Sequence, residues 1–171
     1  PARHRQFVEA CRRLAPSNGH PLAGAAKELA HRLRPRDVDE LEARYIQTFG
    51  HIVRGQLSLY ETEYGEGQAA LRGVHELGDI AGFYRAFGLE VGRAAADRVD
   101  HAAVECAFMH VLCYKEAHAI VHHGPTQREA CRESQARFLK DHLGWWMPSI
   151  ARRVLDVHPG TVHAAWARVA L

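Results

Sequence analysis

Long apolar runs are missing from this sequence. No apolar stretch approaches the roughly 18 residues that cross a bilayer, and the N-terminal ARHRQFVEACRRLA lacks the apolar core of a signal peptide. Cysteine is also scarce, and Cys11, Cys106, Cys113 and Cys131 form no C-x-x-C pair. We therefore expect a cytoplasmic protein, without stable membrane insertion, whose cysteines are reduced and mostly buried.

A large excess of one charge sign and the common catalytic motifs are missing as well. The 22 basic and 20 acidic residues give a formal net charge of +2, which argues against nucleic acid as the main partner. The sequence has no G-x-x-x-x-G-K-[ST] phosphate loop, no G-x-G-x-x-G, no H-E-x-x-H and no G-x-S-x-G. The absence of these motifs does not exclude an enzyme, but it leaves no reaction to propose, so no catalytic residue and no cofactor is predicted.

The sequence does contain helical periodicity almost throughout. Apolar residues recur at spacings of three and four, and no long stretch alternates between apolar and polar residues. A chain of 171 residues with 47% hydrophobic content is long enough for one sizeable core and too short to suggest two. The sequence therefore predicts an all-α, single-domain helical bundle over residues 1–171.

Proline, glycine and acidic caps divide this pattern into helices. The first helix, with Phe7, Cys11 and Leu14, is expected to end before Pro16. The others are expected from about 22 to 33, from Asp37 through Phe49, at about 68–78, from Asp79 to Gly88, at about 101–122, at about 127–143, from Pro148, and after Pro159-Gly160. The stretch 55–67, GQLSLYETEYGEG, is expected to be an ordered loop, and 94–100 to be a polar joint and a possible hinge.

The helix expected at 101–122 is apolar on nearly every side, which predicts that other helices surround it. Asp100 is expected to cap its first turn. Glu105 and Glu116 lie within or beside one of its apolar faces. Because an unpaired buried charge is costly, each carboxylate is expected to pair with an arginine or with His142.

Aromatic residues with polar tips lie in the loop and in the helix that follows it. Tyr60, Glu61 and Tyr64, with Phe83 and Tyr84 further on, form a set suited to gripping an extended or helical peptide. Ordinary loop anchoring and core packing would explain the same residues.

Two other functions stay open at this point. Central-helix cysteines and histidines at helical spacing would suit a metal-binding bundle or an enzyme; they are Cys106, His110, Cys113, His118 and His122. Their directions around one helix are poor for a shared ion, so no metal ligand is predicted. A cationic first helix would suit a nucleic-acid-binding protein; its residues are Arg3, His4, Arg5, Arg12 and Arg13.

Four stretches in order resemble the TorD/DmsD/NarJ family of redox-enzyme maturation chaperones. They are LEARYIQTF, LSLYETEYG, VDHAAVECAFMHVLCYKEAHA and QARFLKDHLGWWMPSIARRV. The third matches E-P-D-H-x-x-x-E-L-x-F-M-x-x-L-x-x-x-E at Asp100, His101, Glu105, Phe108, Met109, Leu112 and Glu116. The fourth matches Q-x-x-F-L-x-x-H-L-x-x-W-x-P at Gln135, Phe138, Leu139, His142, Leu143, Trp146 and Pro148. Arg98-Val99 replaces the Glu-Pro of that third pattern, and Thr48 stands where leucine is usual in the first.

This resemblance implies a cytoplasmic, TorD-like helical chaperone and not an enzyme. Its expected partner is the catalytic subunit of a molybdopterin-containing oxidoreductase of the dimethyl-sulfoxide-reductase type, or that subunit's twin-arginine signal peptide, held until the cofactor is inserted. Nucleic acid is not an expected partner. The resemblance also implies a peptide groove lined by Tyr60, Glu61, Tyr64, Phe83, Tyr84, Asp100 and His101. Either a monomer or a dimer that exchanges segments at the joint before Asp100 is expected.

Overall fold

All regular secondary structure in the described part of the chain is helical. The computed structural model describes residues 5–6, 9–10, 13, 22–33, 38–50, 57–65, 69–92 and 98–171. Its α-helices are α1 (Ala23–Arg32), α2 (Val38–Phe49), α3 (Ala69–Ala86), α4 (Ala102–His122), α5 (Pro125–Phe138), α6 (Gly144–Val157) and α7 (Val162–Ala170), with a 3-10 turn at Glu61–Glu63 and a π-helical turn at Leu139–Leu143. The all-α prediction is confirmed. The expected helix before Pro16 lies mostly outside the described residues.

The chain divides into two compact units. One comprises Pro1–Ser58 with Pro148–Leu171, and the other comprises Leu59–Met147. The single-domain organisation over 1–171 stays a prediction, and residues 94–97 of the expected hinge lie outside the described residues. Across the described ranges, every helix is too short or too polar to cross a bilayer.

In the first unit, α1 packs against α7. Ala26, Leu29 and Ala30 of α1 meet Ala165 of α7 in one buried cluster. Thr48 at the end of α2 is also buried, and its hydroxyl donates to the carbonyl of Arg44 at 2.8 Å and lies 3.1 Å from Nδ1 of His163. The hydroxyl of buried Thr48 therefore has a hydrogen-bond partner on either side, which offsets the cost of burying a polar group.

The helix in the second unit that was expected to break at Gly78 and Asp79 is continuous. Ile80 and Tyr84 continue the buried stripe of α3 past that point. A glycine inside a helix costs only about 1 kcal/mol relative to alanine, which packing of this stripe outweighs, so the predicted break is wrong. The predicted stop at Gly88 is confirmed, because Gly88 has a φ of 71° and takes the left-handed conformation that ends helices.

The segment from α5 to α6 runs on without the predicted end at Gly144. The backbone N–H of Gly144 donates to the carbonyl of Leu139, five residues back, at the end of the π-helical turn. Any Cβ on Gly144 would overlap that carbonyl oxygen, and it would lie 3.3 Å from the carbonyl carbon. Pro148 is therefore an interior residue of α6 and not part of a separate first turn.

Helix α4 buries one face and exposes the others. Phe108 and Leu112 are buried, and the ring of Phe108 lies 4.8 Å from that of Phe138 in α5. Tyr114, Ile120 and Val121 are exposed. The prediction that other helices surround α4 is wrong. The helix packs against its neighbours on one face only, and its remaining apolar residues are exposed to solvent.

The cysteines divide in the same way. Cys131 is buried and free, whereas Cys106 and Cys113 are free but exposed. The prediction of reduced cysteines holds for these residues, and the prediction of burial is wrong for Cys106 and Cys113, because both lie on the outer sides of α4. Cys11 lies outside the described residues.

Glu116, the second acid of α4, joins this helix to α5. Glu116 accepts a hydrogen bond of 2.8 Å from Nε2 of Gln135, and the Nε atoms of Arg128 and Arg132 lie 3.9 and 3.8 Å from its other oxygen. The expected arginine partner is confirmed for Glu116. Among the other residues matching the family blocks, Trp146 is fully buried, whereas Leu139 is exposed.

Candidate functional site

A short antiparallel bridge joins the loop before the 3-10 turn to the start of α4. Tyr60 and His101 are the bridge residues. The N–H of Glu61 donates to the carbonyl of Asp100 at 3.0 Å, and the N–H of Ala102 donates to the carbonyl of Leu59 at 2.8 Å. These bonds fix the aromatic loop against the beginning of the helix.

Asp100 anchors the junction from inside. Its side chain is fully buried, and its Oδ2 atom accepts from the hydroxyl of Thr62 at 2.8 Å and from the Thr62 N–H at 3.3 Å. Arg98 donates to both carboxylate oxygens. Burial by itself would raise the pKa of Asp100, but the hydrogen bonds from Arg98 and Thr62 outweigh it and hold the pKa below its usual value.

The helix cap is His101 and not Asp100, so the predicted cap is wrong. Nδ1 of His101 accepts from the N–H of Ala103 at 3.1 Å, and this satisfies one of the free amides of the first turn. The carboxylate of Asp100 points instead to Thr62 and Arg98. The ring of His101 also packs edge-on against Tyr60, with 5.0 Å between ring centroids.

Tyr84 fixes the chain just before Asp100. It is buried, and its hydroxyl donates to the carbonyl of Val99 at 2.8 Å. Burial, followed by the nearby carboxyl of Glu105, raises the pKa of Tyr84 well above its usual value. Tyr84 is therefore a neutral hydrogen-bond donor at every physiological pH.

A second buried cluster centres on Glu61. Nδ1 of His142 lies 3.2 Å from Oε1 of Glu61, and Nε1 of Trp145 donates to the same oxygen at 2.7 Å. On the other side of the ring, Nε2 of His142 lies 3.3 Å from Oδ2 of Asp79. The geometry of this contact is that of an ion pair and not of a hydrogen bond. Burial would lower the pKa of His142, but the hydrogen bond to Glu61 outweighs it and raises the pKa, which favours the imidazolium form.

Glu105 is the neutral partner in this cluster. It is fully buried and accepts from Nε1 of Trp146 at 3.2 Å. Burial, followed by the charge of Glu61, raises the pKa of Glu105 to about 9, so the protonated acid is the form present at neutral pH. The expected arginine or His142 partner is therefore wrong for Glu105, because His142 binds Glu61 instead.

The remaining candidates, Tyr64 and Phe83, are half-buried at the edge of these clusters. The ring of Tyr64 lies 5.3 Å from that of Trp146, and the ring of Phe83 lies 5.3 Å from that of His142. Phe83 also lines a cleft of about 370 Å³ between α3 and α5. The residues lining this cleft are Asp79, Gly82, Phe83, Ala86, Phe87, Glu133, Ser134 and Arg137.

The structure therefore brings all the sequence-predicted site residues into the second unit, but in two layers. Tyr60, Tyr64 and Phe83 are partly accessible, whereas the other candidates are buried beneath them; those are Glu61, Tyr84, Asp100 and His101. Thr62, Arg98 and Trp145 were not predicted as site residues from the sequence. The substitution at Arg98 was visible as a departure from the family pattern, but its contact with Asp100 was not.

The described residues also bear on the metal alternative. Among them, no three His, Cys, Asp or Glu side chains are placed to hold a metal ion together. The basic residues proposed for nucleic acid lie mainly outside the described part of the chain, and Arg13, which is described, forms an ion pair with Glu9 at 3.5 Å.

Known proteins give an independent assignment. A family model described as nitrate reductase delta subunit matches residues 16–152. The selenate reductase assembly chaperone protein of Thauera selenatis is 32% identical over 140 residues, which cover 79% of this chain and 69% of that protein. The perchlorate reductase assembly chaperone protein of Dechloromonas aromatica (strain RCB) is 32% identical over 107 residues, which cover 57% of this chain and 47% of that protein. No solved structure gives a significant match.

The matched region includes the Tyr60–His101 bridge, both buried clusters and the cleft beside Phe83. Most of the chain is covered by the family model and by the first of these relatives. The chain therefore belongs to the nitrate reductase delta subunit family, the group of TorD/DmsD/NarJ maturation chaperones that its sequence resembles.

Proposed function

We propose that this protein is a cytoplasmic, non-enzymatic chaperone that holds the catalytic subunit of a molybdopterin-containing reductase until its cofactor is inserted. The names of the two relatives, which are assembly chaperones of a selenate and a perchlorate reductase, support a reductase client. The segment held is proposed to be the client's N-terminal region or signal peptide. Whether the chaperone acts as a monomer or as a domain-swapped dimer stays a prediction.

The observation that carries this proposal is the aromatic cleft in the second unit. Phe83 and Phe87 supply apolar surface, and Asp79 and Glu133 place carboxylates among the residues that line it. A cleft of about 370 Å³ accepts one or two apolar side chains of a peptide. Its two carboxylates outnumber the one arginine among the lining residues, Arg137, and therefore favour basic residues beside the apolar ones. Binding of this kind needs no bond making, which agrees with the missing catalytic motifs.

The buried cluster beneath the cleft gives its wall a fixed shape. His142 is held on one side by Glu61 and faces Asp79 on the other, and its ring packs edge-on against Phe83. Because a buried side chain with satisfied hydrogen bonds is fixed before the partner arrives, less conformational entropy is lost on binding. Buried Glu61 therefore positions the surface that meets the client, without touching the client itself.

A charge reversal on the cleft tests this assignment. We expect Glu133→Arg to weaken binding of the purified N-terminal segment of the client reductase about tenfold, which corresponds to about 1.4 kcal/mol. Fluorescence anisotropy with a labelled segment measures the change. The matched control is Glu129→Arg, an equal charge reversal at an exposed position of α5 that does not line the cleft. Equal affinities of the two variants would contradict the cleft assignment.

The aromatic edge is tested in the same assay. Tyr60→Ala is expected to weaken binding, whereas Tyr114→Ala, which removes an exposed tyrosine from the outer side of α4, is expected to leave it unchanged. Circular dichroism controls for loss of helix.

The cellular role needs its own measurement. Cells that lack this chain are expected to accumulate the reductase catalytic subunit without molybdenum, as determined by metal analysis of the isolated subunit. A fully loaded subunit in those cells would contradict the maturation role.

A further inference from the structure

The guanidinium of Arg98 is bound at the start of α4 by Asp100, Thr62 and the ring of Tyr60, which together are called the guanidinium seat. Its Nε donates to Oδ1 of Asp100 at 2.9 Å, and Nη2 donates to Oδ2 at 2.6 Å. Nη2 also donates to the hydroxyl of Thr62 at 2.6 Å, and the guanidinium carbon lies 4.6 Å from the centre of the Tyr60 ring. The carboxylate of Glu63 lies 3.9 Å from Nη1. Each of these four residues offers a group that a guanidinium binds well.

The shape of the seat selects a guanidinium and not an ammonium. Two N–H donors meet the two oxygens of one carboxylate, while the guanidinium carbon lies over the face of an aromatic ring. Thr62 completes the arrangement, because its hydroxyl donates to Asp100 at 2.8 Å and accepts from Arg98. A lysine could meet these groups only as a single point charge.

The two partners of this contact differ in accessibility. The carboxylate of Asp100 is 0% exposed, whereas the side chain of Arg98 is 40% exposed. Asp100 cannot turn to solvent, and a buried carboxylate needs its cation. Arg98 approaches from the solvent side, so another guanidinium could reach the seat by the same route once Arg98 leaves.

We propose that Asp100, Thr62 and the face of Tyr60 form a guanidinium-binding site that this chain occupies with its own Arg98. Arg98 is then a specificity-determining residue: an arginine presented by a partner uses the site only by displacing it. That the partner is a segment of another protein rests on the proposed function. A client segment that places no arginine at this site binds without competition from Arg98.

Chemical rescue tests the site in the full-length chain. Arg98→Ala empties the seat and is expected to lower the thermal midpoint. Nα-acetyl-arginine amide at millimolar concentration is expected to restore about half of that loss in a saturable way, whereas Nα-acetyl-lysine amide restores little. Neither compound should change wild-type protein or Arg85→Ala, which removes an exposed arginine from α3 in the same unit.

No recovery by the arginine compound, or an equal shift in all three proteins, would overturn the proposal. If Arg98→Ala does not fold, Arg98→Lys provides the second variant, because it keeps the positive charge while losing the forked contact. It should show a smaller loss and the same preference for the arginine compound, and an absence of that preference would be equally decisive.

The rescue uses no client, so its failure leaves the chaperone role standing. A second experiment tests whether the client uses the guanidinium seat. Arg98→Ala is expected to gain about tenfold in affinity for an arginine-containing client segment and nothing for the same segment with lysine in place of arginine. Rescue by the small compound without any gain for the arginine segment would confine the seat to an internal contact and refute its use by a partner.

Discussion

Replacing Gly144 by alanine should destabilise this protein, although the same change usually stabilises a helix. Alanine is favoured over glycine in helix interiors by about 1 kcal/mol. At Gly144, however, the added methyl group would overlap the carbonyl oxygen of Leu139. Neither group can move freely, because the carbonyl belongs to the backbone of the π-helical turn and the position of the Cβ is fixed by the backbone of Gly144, whose N–H is bonded to that carbonyl.

The magnitude follows from these two opposing effects. Overpacking of this kind costs about 1–3 kcal/mol, and the gain in helix propensity offsets about 1 kcal/mol of that cost. We expect a net loss of up to about 2 kcal/mol in the free energy of unfolding, or up to about 8 °C in the thermal midpoint for a chain of this size. Urea unfolding followed by circular dichroism at the helix band measures it.

Gly78→Ala provides the matched control. Gly78 is also exposed and helical, in the middle of α3, and a Cβ there would meet nothing within 4 Å. We expect it to stabilise the protein by about 0.5–1 kcal/mol. If Gly144→Ala raised stability as Gly78→Ala does, the close approach at the π-helical turn would be refuted.

Three further predictions follow from the buried acid, the indole beside it and the cysteines. The pKa of Glu105 is raised from 4.5 to about 9, so its stabilising contribution is full below about pH 4.5 and is lost as the pH rises through about 9. The urea midpoint of wild type should therefore fall more steeply over that range than that of Glu105→Gln, and parallel curves would contradict this. Trp146→Phe removes the donor to Glu105 and should cost about 1–3 kcal/mol in urea unfolding, whereas unchanged stability would show that the bond is unimportant. Under native conditions, alkylation followed by mass spectrometry should modify exposed Cys113 before buried Cys131; the reverse order would contradict the burial described for α5.

The glycines show how much of the fold could be predicted from sequence. Gly88 ends α3 because its φ is 71°, and this stop was predicted correctly. Gly78 has open space and ends nothing, and Gly144 permits a close backbone contact inside a continuous helix. All three look alike in the sequence. A glycine marks a helix end only when the backbone takes the left-handed conformation, which depends on the packing on either side.

In the candidate site, too, some contacts could be predicted from the sequence and others could not. The resemblance placed Tyr60 and His101 in one groove, and the structure joins them by a backbone bridge. The pairing of Glu61 with His142 spans 81 residues and could not be predicted, because both residues had several possible partners. The contact of Arg98 with Asp100 was missed for another reason: the residue type was noted as a departure, but its direction depends on the turn that contains Thr62.

The π-helical turn at Leu139–Leu143 also limits which length changes this segment tolerates. Each residue of an α-helix rotates the chain by about 100°, so the one residue accommodated by the bulge sets the direction of Trp145 and Trp146. Deleting a single residue here would preserve a helix but swing both indoles away from the acids to which they donate. Natural variants of this protein should therefore exchange side chains in this segment far more readily than they gain or lose a position.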